Sequence, residues 1–514
     1  MTGQAQGVLQ DSPSERNLLA GVGLACLSGF LHFTLIPPLS WHWMAWVVLV
    51  PFLWSLTGSS AMRGAALGAA FGVQLSAAVY WWLPGLLVRF FHLPVIAAWV
   101  AGVLGAFFLA VPYAAFGSWV ACLSKHGRAS PFSIAAGWVL AEFASGRWLI
   151  PNRLGLLAHS QIGSNTSQIV DLVGQYGLGF LIVAVNAVAL RFLKDRSWKS
   201  VAQPTSLVIV AGLASTVLYG SRQREDHYGD GGEVQVAVLQ GGVQLEFDQR
   251  PDERFENFDH YKALTSKATT TDESVDIVFW PEWAAGVYLG DSSEEAQEHL
   301  AALASFGPEL VLGAPHREQV GEQRSFYNSV FLVRKGSIEG RYDKQKLIPL
   351  AESDPLARLG GVLNRPSYTP GLGPSILPTL RGKIGVMICS ESTSPVVARE
   401  LVRLGAEILA NPSNDYWFGR REPAQLQLGV AGLRAIENRR YLARPTSTGL
   451  SAVIDPAGTV VVESSSPGSE VLLAEVRPVS VVTMYQRVGD FIVWISVCLA
   501  GWHLLAPRVR KHDV

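Results

Sequence analysis

A chain of 514 residues has room for two or three domains, and its composition is lopsided: 49% of the residues are hydrophobic and only 16% are charged. That excess of apolar side chains excludes an ordinary soluble protein. The formal net charge of −1 provides no basic face for releasing phosphate counterions, which excludes nucleic acid as an expected partner.

Up to about Ser221 the chain is a series of apolar runs, each near the ~20 residues that cross a bilayer as a helix. Seven are expected, over 17–36, 41–57, 62–83, 94–123, 131–150, 167–191 and 203–220. An eighth, "VGDFIVWISVCLAGWHLL", runs from Val488 to Leu505. The first run lacks a basic leading region and six more follow it, so it reads as a retained helix and not as a cleaved signal. Lys and Arg in short loops resist translocation. With the N-terminus inside, the cytoplasmic segments hold Arg16, Arg63, Lys125, Arg128, Arg191, Lys194, Arg196, Lys199, Arg508, Arg510 and Lys511. The opposite loops hold chiefly Arg89, Arg147 and Arg153. Seven crossings then carry the polar stretch that follows to the outer side of the membrane. The expected division is a membrane domain over 1–221, an outer domain over 222–486, and a last helix with a cytoplasmic tail over 487–514. Between 140 and 161, Glu142, Arg147, Arg153, His159 and Gln161 sit at or near membrane depth. Such groups fit either a lipid-headgroup or access site, or an interfacial loop whose side chains snorkel.

From Glu233 the pattern changes to short strand-like runs alternating with amphipathic helices: "VQVAVLQ", "VDIVFW", "ELVLGAP", "SVFLVRKG", "KIGVMIC", "AEILANPS", "RRYLARPTS" and "LSAVIDPAGTVVVES". Val- and Ile-rich runs of this length, bounded by Gly, Pro and Asp, predict the buried strands of an α/β domain. "DSSEEAQEHL" reads as an acidic, solvated helix face. In "SPVVARELVRLGAEIL", Ser394 is the expected N-cap and Pro395 begins the helix.

Cys26, Cys122 and Cys498 fall inside predicted spans, which leaves Cys389 as the one thiol of the outer domain. With no disulfide partner there, it is either an inert core residue at a strand end or a reactive thiol. Its place at the turn from a strand into a helix favours a nucleophile near N–H groups that stabilise negative charge. A thiol needs a base. The outer domain's His227, His260, His299 and His316 sit in no recognisable signature, whereas two other polar groups stand near strand ends. Glu282, between Trp280, Pro281 and Trp283, is a candidate base whose desolvation would raise its proton affinity. Lys344, in "GRYDKQKLIPLAE", is a candidate fixed charge for an oxyanion. No His/Cys cluster has metal-ligand spacing, so no metal is expected.

The segments "FWPEW", "YDKQKLIPL", "GVMICSES", "NPSNDYWFG" and "RAIENRRYLARPTSTGLSAVIDPAG" resemble the nitrilase (carbon-nitrogen hydrolase) superfamily. With the spans before and after, and with "DLVGQYGLGFLIVAVNAVAL" in the membrane part, the whole chain is similar to the bacterial apolipoprotein N-acyltransferase family. The resemblance implies a polytopic α-helical membrane domain of about eight helices plus an α/β nitrilase-like αββα sandwich. It also implies a triad of Glu282 as general base, Lys344 as oxyanion stabiliser and Cys389 as nucleophile. Glu352 matches a second essential glutamate, and Glu391 the acidic residue of a Cys-Tyr-Glu signature. Three positions depart from the pattern: Ser390 stands where Tyr is common, Ser447 where Asn is frequent, and "LAE" (350–352) where "FGE" is usual. These bear on the fit to a particular acyl donor or acceptor. Trp283, Asn414, Asp415 and Trp417 are candidate substrate or lid residues.

The implied activity is acyl transfer from a membrane phospholipid, through a Cys389 thioester, to the N-terminal amine of diacylglyceryl-cysteine in apolipoproteins. No cofactor is implied. The implied location is the bacterial inner membrane with the catalytic domain facing the periplasm. Two other readings stand beside it, a membrane-tethered amidase acting on small amides and an inactive lipid-binding scaffold. The preferred acyl chain and headgroup, the lipoproteins served and the oligomeric state are not encoded legibly in the chain.

Overall fold

The computed structural model describes residues 13–149, 154–224, 229, 231–243, 251–272, 274–320, 323–354, 367–465 and 468–505. The first half is helical: α1 (Pro13–Leu31), α2 (Val50–Leu56), α3 (Ala61–Val79), α4 (Leu83–Phe91), α5 (Val95–Lys125), α6 (Pro131–Ala144), α7 (Val170–Asp195), α8 (Trp198–Val201) and α9 (Pro204–Gln223). Each apolar run predicted from the sequence is helical here, but length divides them. Among the described residues, four helical stretches are long and apolar enough to cross a membrane: Leu18–Leu35, Val95–Lys125, Asn165–Asp195 and Pro204–Gln223. A fifth forms if α3 and α4 count as one span bent by 57°. The runs over 41–57, 131–150 and 488–505 give shorter helices than the spacing predicts. The first is split between a 3-10 turn at His42–Trp46 and the short α2, and the second leaves regular α-geometry after Ala144.

Close packing in lipid favours small residues, because backbones must approach each other to gain contact. Helix α3 carries Gly64, Gly68 and Gly72 at every fourth position, and all three face α5. A methyl on Gly68 would sit 2.1 Å from the Tyr113 carbonyl oxygen, and one on Gly64 2.4 Å from that of Gly117.

Among the described residues the second half has twelve strands: β1 (Val234–Gln240), β2 (Ile277–Phe279), β3 (Glu309–Val320), β4 (Gln323–Arg334), β5 (Ser337–Asp343), β6 (Ile376–Thr379), β7 (Gly382–Val386), β8 (Ile408–Ala410), β9 (Leu442–Arg444), β10 (Ala452–Ile454), β11 (Val460–Glu463) and β12 (Glu470–Val476). They form two six-stranded sheets, ordered β12-β1-β2-β3-β4-β5 and β11-β10-β9-β8-β7-β6. Each sheet has three parallel strands at its centre, β1-β2-β3 in one and β7-β8-β9 in the other. Alternation along a strand sorts the two faces. Val234, Val236 and Val238 of β1 enter the core between the sheets with Ile384, Val386 and Ile408. Ala237 and Leu239 point the other way, toward α10 (Pro251–Thr271), whose Phe258 and Tyr261 share their cluster with Leu303 of α11 (Glu294–Leu303). Helices α12 (Pro395–Arg403) and α13 (Arg421–Asn438) cover the second sheet through Leu401, Leu428 and Ala435. The result is a helix–sheet–sheet–helix sandwich, followed by α14 (Met484–Val488) and α15 (Phe491–Leu505).

Three strands, β5, β6 and β12, lie outside the runs singled out in the sequence. All three are edges of their sheets. An edge strand is partly solvated and tolerates charge and proline, so it carries no continuous apolar run.

Of the polar residues singled out between 140 and 161, Glu142, His159 and Gln161 are internal ties. Glu142 Oε1 accepts the Leu157 N–H at 2.8 Å. His159 contacts Gln175 at 3.3 Å, and Gln161 donates to the His42 carbonyl at 2.8 Å. Arg147 is exposed, and Arg153 lies outside the described residues, as do Arg508, Arg510 and Lys511.

Candidate active site

The site forms where two central strands and one edge strand end, and the ends of central strands are where α/β folds leave a crevice for ligands. Glu282 follows β2, Lys344 follows β5, and Cys389 follows β7. Local constraints fix each of them. At Glu282, β3 presses directly on the turn: a methyl on Gly313 would lie 2.2 Å from the Pro281 carbonyl oxygen and 2.7 Å from Glu282 Cα. Trp283 next to it takes φ +63° and Cys389 takes φ +50°. Both values are rare for residues with a Cβ and recur where geometry serves function.

Lys344 is 1% exposed, and Glu282 and Glu352 are each 3% exposed. Lys344 Nζ donates to Glu352 Oε1 at 2.6 Å and to Glu282 Oε1 at 3.2 Å. Asn328, in β4, bridges the same two oxygens: its Nδ2 lies 2.7 Å from Glu282 Oε1 and 3.1 Å from Glu352 Oε1. Glu352 Oε2 accepts the Ile348 N–H at 2.9 Å. One oxygen of Glu282 is thus doubly held, while Oε2 is buried with no hydrogen-bond partner among the described residues. Burial works against the Lys344 charge, but Glu282, Glu352 and Cys389 outweigh it and hold the ammonium above the ordinary lysine value.

Cys389 is buried, and its thiol feels the charges of Glu282, Lys344 and Asp415. Burial, then Glu282, push the thiol up; Lys344 and the Asn414 N–H, which bonds the sulfur, act against them, and the net shift is upward. The sulfur is therefore a thiol until a base removes its proton.

Glu391 positions both loops. Its Oε1 accepts the N–H groups of Gln345 and Lys346 at 2.8 and 3.0 Å. Its Oε2 accepts from Ile388 N at 2.7 Å and Tyr342 Oη at 2.9 Å. The segment after Lys344 and the segment before Cys389 are so tied to one buried carboxylate. Burial pushes the Glu391 carboxyl up, while these backbone donors and Lys344 draw it down by less.

The loop 411–415 closes the site from the second sheet. Buried Arg444 of β9 pairs with Asp415 at 2.8 Å, donates to Ser413 Oγ at 2.9 Å and contacts Asn411, whose Nδ2 donates to the Cys389 carbonyl at 3.1 Å. Ser447 donates to Asn414 Oδ1 at 2.6 Å. Trp417 stacks on Phe90 of α4, centroids 4.3 Å apart, and Arg89 Nη2 donates to the Phe418 carbonyl at 2.8 Å. Of the candidate residues, Glu282, Lys344, Glu352 and Cys389 come together around one point. Glu391 and Asp415 stand behind the loops, Asn414 borders the sulfur, and Trp417 rests on the helical half. Trp283 is half-buried with Tyr368 edge-on at 5.8 Å, and Ser390 is half-buried beside the nucleophile.

Asn328, Asn411 and Arg444 went unnoticed in the sequence reading. The available signal was an amide inside an apolar strand run, "FYNSVFLV", since a buried polar group there needs partners. Among the described residues no group of His, Cys, Asp and Glu could hold a metal ion.

The fold and site define a carbon-nitrogen hydrolase domain mounted on apolar helices. The carbon-nitrogen hydrolase family model matches residues 235–486, and the model of the apolipoprotein N-acyltransferase N-terminal domain matches residues 28–188. The apolipoprotein N-acyltransferase of Geobacter metallireducens is 29% identical over 499 residues, covering 94% of each chain. That of Pseudomonas putida is 29% identical over 419 residues, covering 79% of this chain and 80% of the relative. Among solved structures, Saccharomyces cerevisiae Nit3, a member of branch 10 of the nitrilase superfamily, aligns at 19% identity and a TM-score of 0.39, over 56% of this chain and 99% of that one. The chain belongs to the apolipoprotein N-acyltransferase family and is a bacterial membrane protein.

Proposed function

We propose that this protein acylates lipoproteins in two steps, taking a fatty acyl chain from a membrane phospholipid onto Cys389 and passing it to the N-terminal amine of diacylglyceryl-cysteine. The observation that carries this reading is the buried Glu282–Lys344–Glu352 cluster facing Cys389, on a domain joined to apolar helices. In the first step Glu282 Oε2 takes the thiol proton as sulfur attacks the ester carbonyl. The ester C–O bond breaks, and Glu282 returns the proton to the departing lysophospholipid oxygen. Two of the three N–H bonds of Lys344 go to carboxylates, which leaves the third for the oxyanion of each tetrahedral intermediate. In the second step the amine nitrogen attacks the thioester carbonyl and gives a proton to Glu282. The C–S bond breaks and sulfur recovers the proton, so the enzyme is unchanged. No metal or cofactor enters either step.

In the same proposal the chain divides into a membrane domain over 1–221, a catalytic domain over 222–486 facing the periplasm, and a last helix and tail over 487–514 in the inner membrane. Both substrates are lipids, so a catalytic domain held on membrane helices spares their acyl chains a passage through water. The test is incubation with phospholipid labelled in one acyl chain, followed by intact mass and peptide mapping. The expected result is one acyl group on Cys389, absent from Cys389→Ala. Label on Cys26, Cys122 or Cys498, or adduct persisting in Cys389→Ala, would falsify the assignment.

A further inference from the structure

Two acceptor oxygens in the site have no donor. Glu282 Oε2 and Asn328 Oδ1 are both buried and without a hydrogen-bond partner among the described residues. They belong to side chains joined directly, Asn328 Nδ2 to Glu282 Oε1 at 2.7 Å. The orientation of the amide is set by chemistry: the atom that meets two carboxylate oxygens at 2.7 and 3.1 Å must be the NH2 end, so the carbonyl end is the one left open. Asn328 is 1% exposed. A buried acceptor left empty is destabilising, and a resting site that keeps two on directly bonded side chains is arranged for something that brings donors.

The two half-reactions differ in what they bring. The thiol of the first step has one hydrogen, which goes to Glu282, and an ester donates none. The amine of the second step has a hydrogen to surrender and at least one more to donate. We infer that Asn328 Oδ1 is the second acceptor for the attacking amine: one N–H is held by Asn328 while another passes its proton to Glu282 Oε2, so the nitrogen lone pair faces the thioester carbonyl. The inference rests on the acyl-transfer reading of this site and adds a residue specific to its second step. The amide thereby has two functions. Its NH2 end steadies Glu282 and Glu352 in both steps, and its carbonyl end serves aminolysis alone. Lys344, Glu282, Glu352 and Cys389 are the charged or titratable groups around it, and none of them offers another free acceptor to the amine.

The test measures the two steps separately in full-length protein, with a labelled phospholipid as donor and a synthetic diacylglyceryl-cysteine peptide as acceptor. Thioester formation is followed by intact mass, and transfer from preformed acyl-enzyme by peptide acylation. Asn328→Leu has a similar volume but no polar atoms; both steps slow, and transfer falls at least tenfold further than acylation, so acyl-enzyme accumulates. Asn328→Asp keeps an acceptor oxygen and loses the donor; the two steps slow together, with their ratio within a few-fold of wild type. Equal slowing of both steps in Asn328→Leu, or an unchanged transfer step, overturns the inference. Should Asn328→Leu fail to fold, Asn328→Asp still decides: a selective loss of transfer there overturns the inference. Absence of any Cys389 thioester in the wild-type control would overturn the acyl-transfer reading itself, a different outcome from an unchanged ratio.

Discussion

Arg439, just past α13, and Asp171, on α7, form a buried ion pair between the catalytic sandwich and the helical half. Asp171 Oδ2 accepts from Arg439 Nη2 at 2.5 Å and from Nε at 2.9 Å, and Tyr219 donates to the same oxygen at 2.7 Å. Breaking one partner of such a pair strands a charge away from water, typically at a loss of ~3–5 kcal/mol. Arg439→Met is therefore expected to lower the thermal midpoint in detergent, and Asp171→Asn added to it should restore much of the loss. An unchanged midpoint in the single variant would mean that this ion pair adds nothing to the joint between the halves.

The thiol of Cys389 lies between charges of opposite sign. Glu282→Gln removes the negative neighbour that, after burial, raises the thiol, so its titration should move down and more thiolate should exist at a given pH. Lys344→Met removes the positive neighbour and should move it up. Peptide-mapped alkylation of Cys389 against pH reads both. Acylation nevertheless falls in each variant, by ~100- to 10,000-fold in Glu282→Gln, as is usual when a general base is lost. Equal alkylation profiles in the two variants would count against the electrostatic arrangement.

Gly313→Ala tests the support beneath the base. The added methyl meets backbone atoms of Pro281 and Glu282, so the turn must shift, at a cost of ~1–3 kcal/mol typical of overpacking. A displacement of the order of 1 Å at a reacting group can lower a rate by about 100-fold. Acylation should fall while the amount of phospholipid bound stays constant.

The stack of Phe90 on Trp417 joins α4 to the loop beside the nucleophile. A double-mutant cycle with Phe90→Ala and Trp417→Ala, read as thermal midpoints, should give a coupling of ~0.5–1.5 kcal/mol, the usual range for aromatic pairs. Strict additivity would mean that the contact carries no energy.

Orientation is tested by single cysteines in a background lacking Cys26, Cys122 and Cys498. A membrane-impermeant thiol reagent should label Ser292→Cys in intact spheroplasts and Ser197→Cys only after lysis. The reverse pattern would invert the proposed topology.

Strands β1, β2, β3, β7, β8 and β9 were legible because both faces of each are covered, which demands apolar runs. The edges β5, β6 and β12 were not, since solvent on one side relaxes that demand. Cys389 and Glu282 could be picked out because each follows a legible strand within distinctive local sequence, and Lys344 by its local sequence alone, since the strand before it is the edge β5. Asn328 could not: its contacts with Glu282 and Glu352 span 46 and 24 residues of sequence, and a lone amide in a strand carries no mark of its partners. Glu142, His159 and Gln161 were legible as costly groups at membrane depth, but their partners, Leu157, Gln175 and His42, depend on how the helices fold back. The long helices followed from apolar length, whereas the breaks within 41–57 and after Ala144 depend on local geometry that hydropathy does not record.

The bend between α3 and α4 has a mechanical consequence. Helix α4 grips the 3-10 turn Asp415–Phe418 through Arg89 and Phe90, and Asn414, which caps that turn, supplies the N–H at the Cys389 sulfur. Only two residues, Asp415 and Tyr416, separate the stacked ring of Trp417 from the capping residue. A bilayer of different thickness changes the tilt that suits an apolar helix, and here such a tilt would be transmitted along a short lever to the electrostatics of the thiol. The stretch that bonds the thiol is thereby held from the helical half as well as from its own sheet.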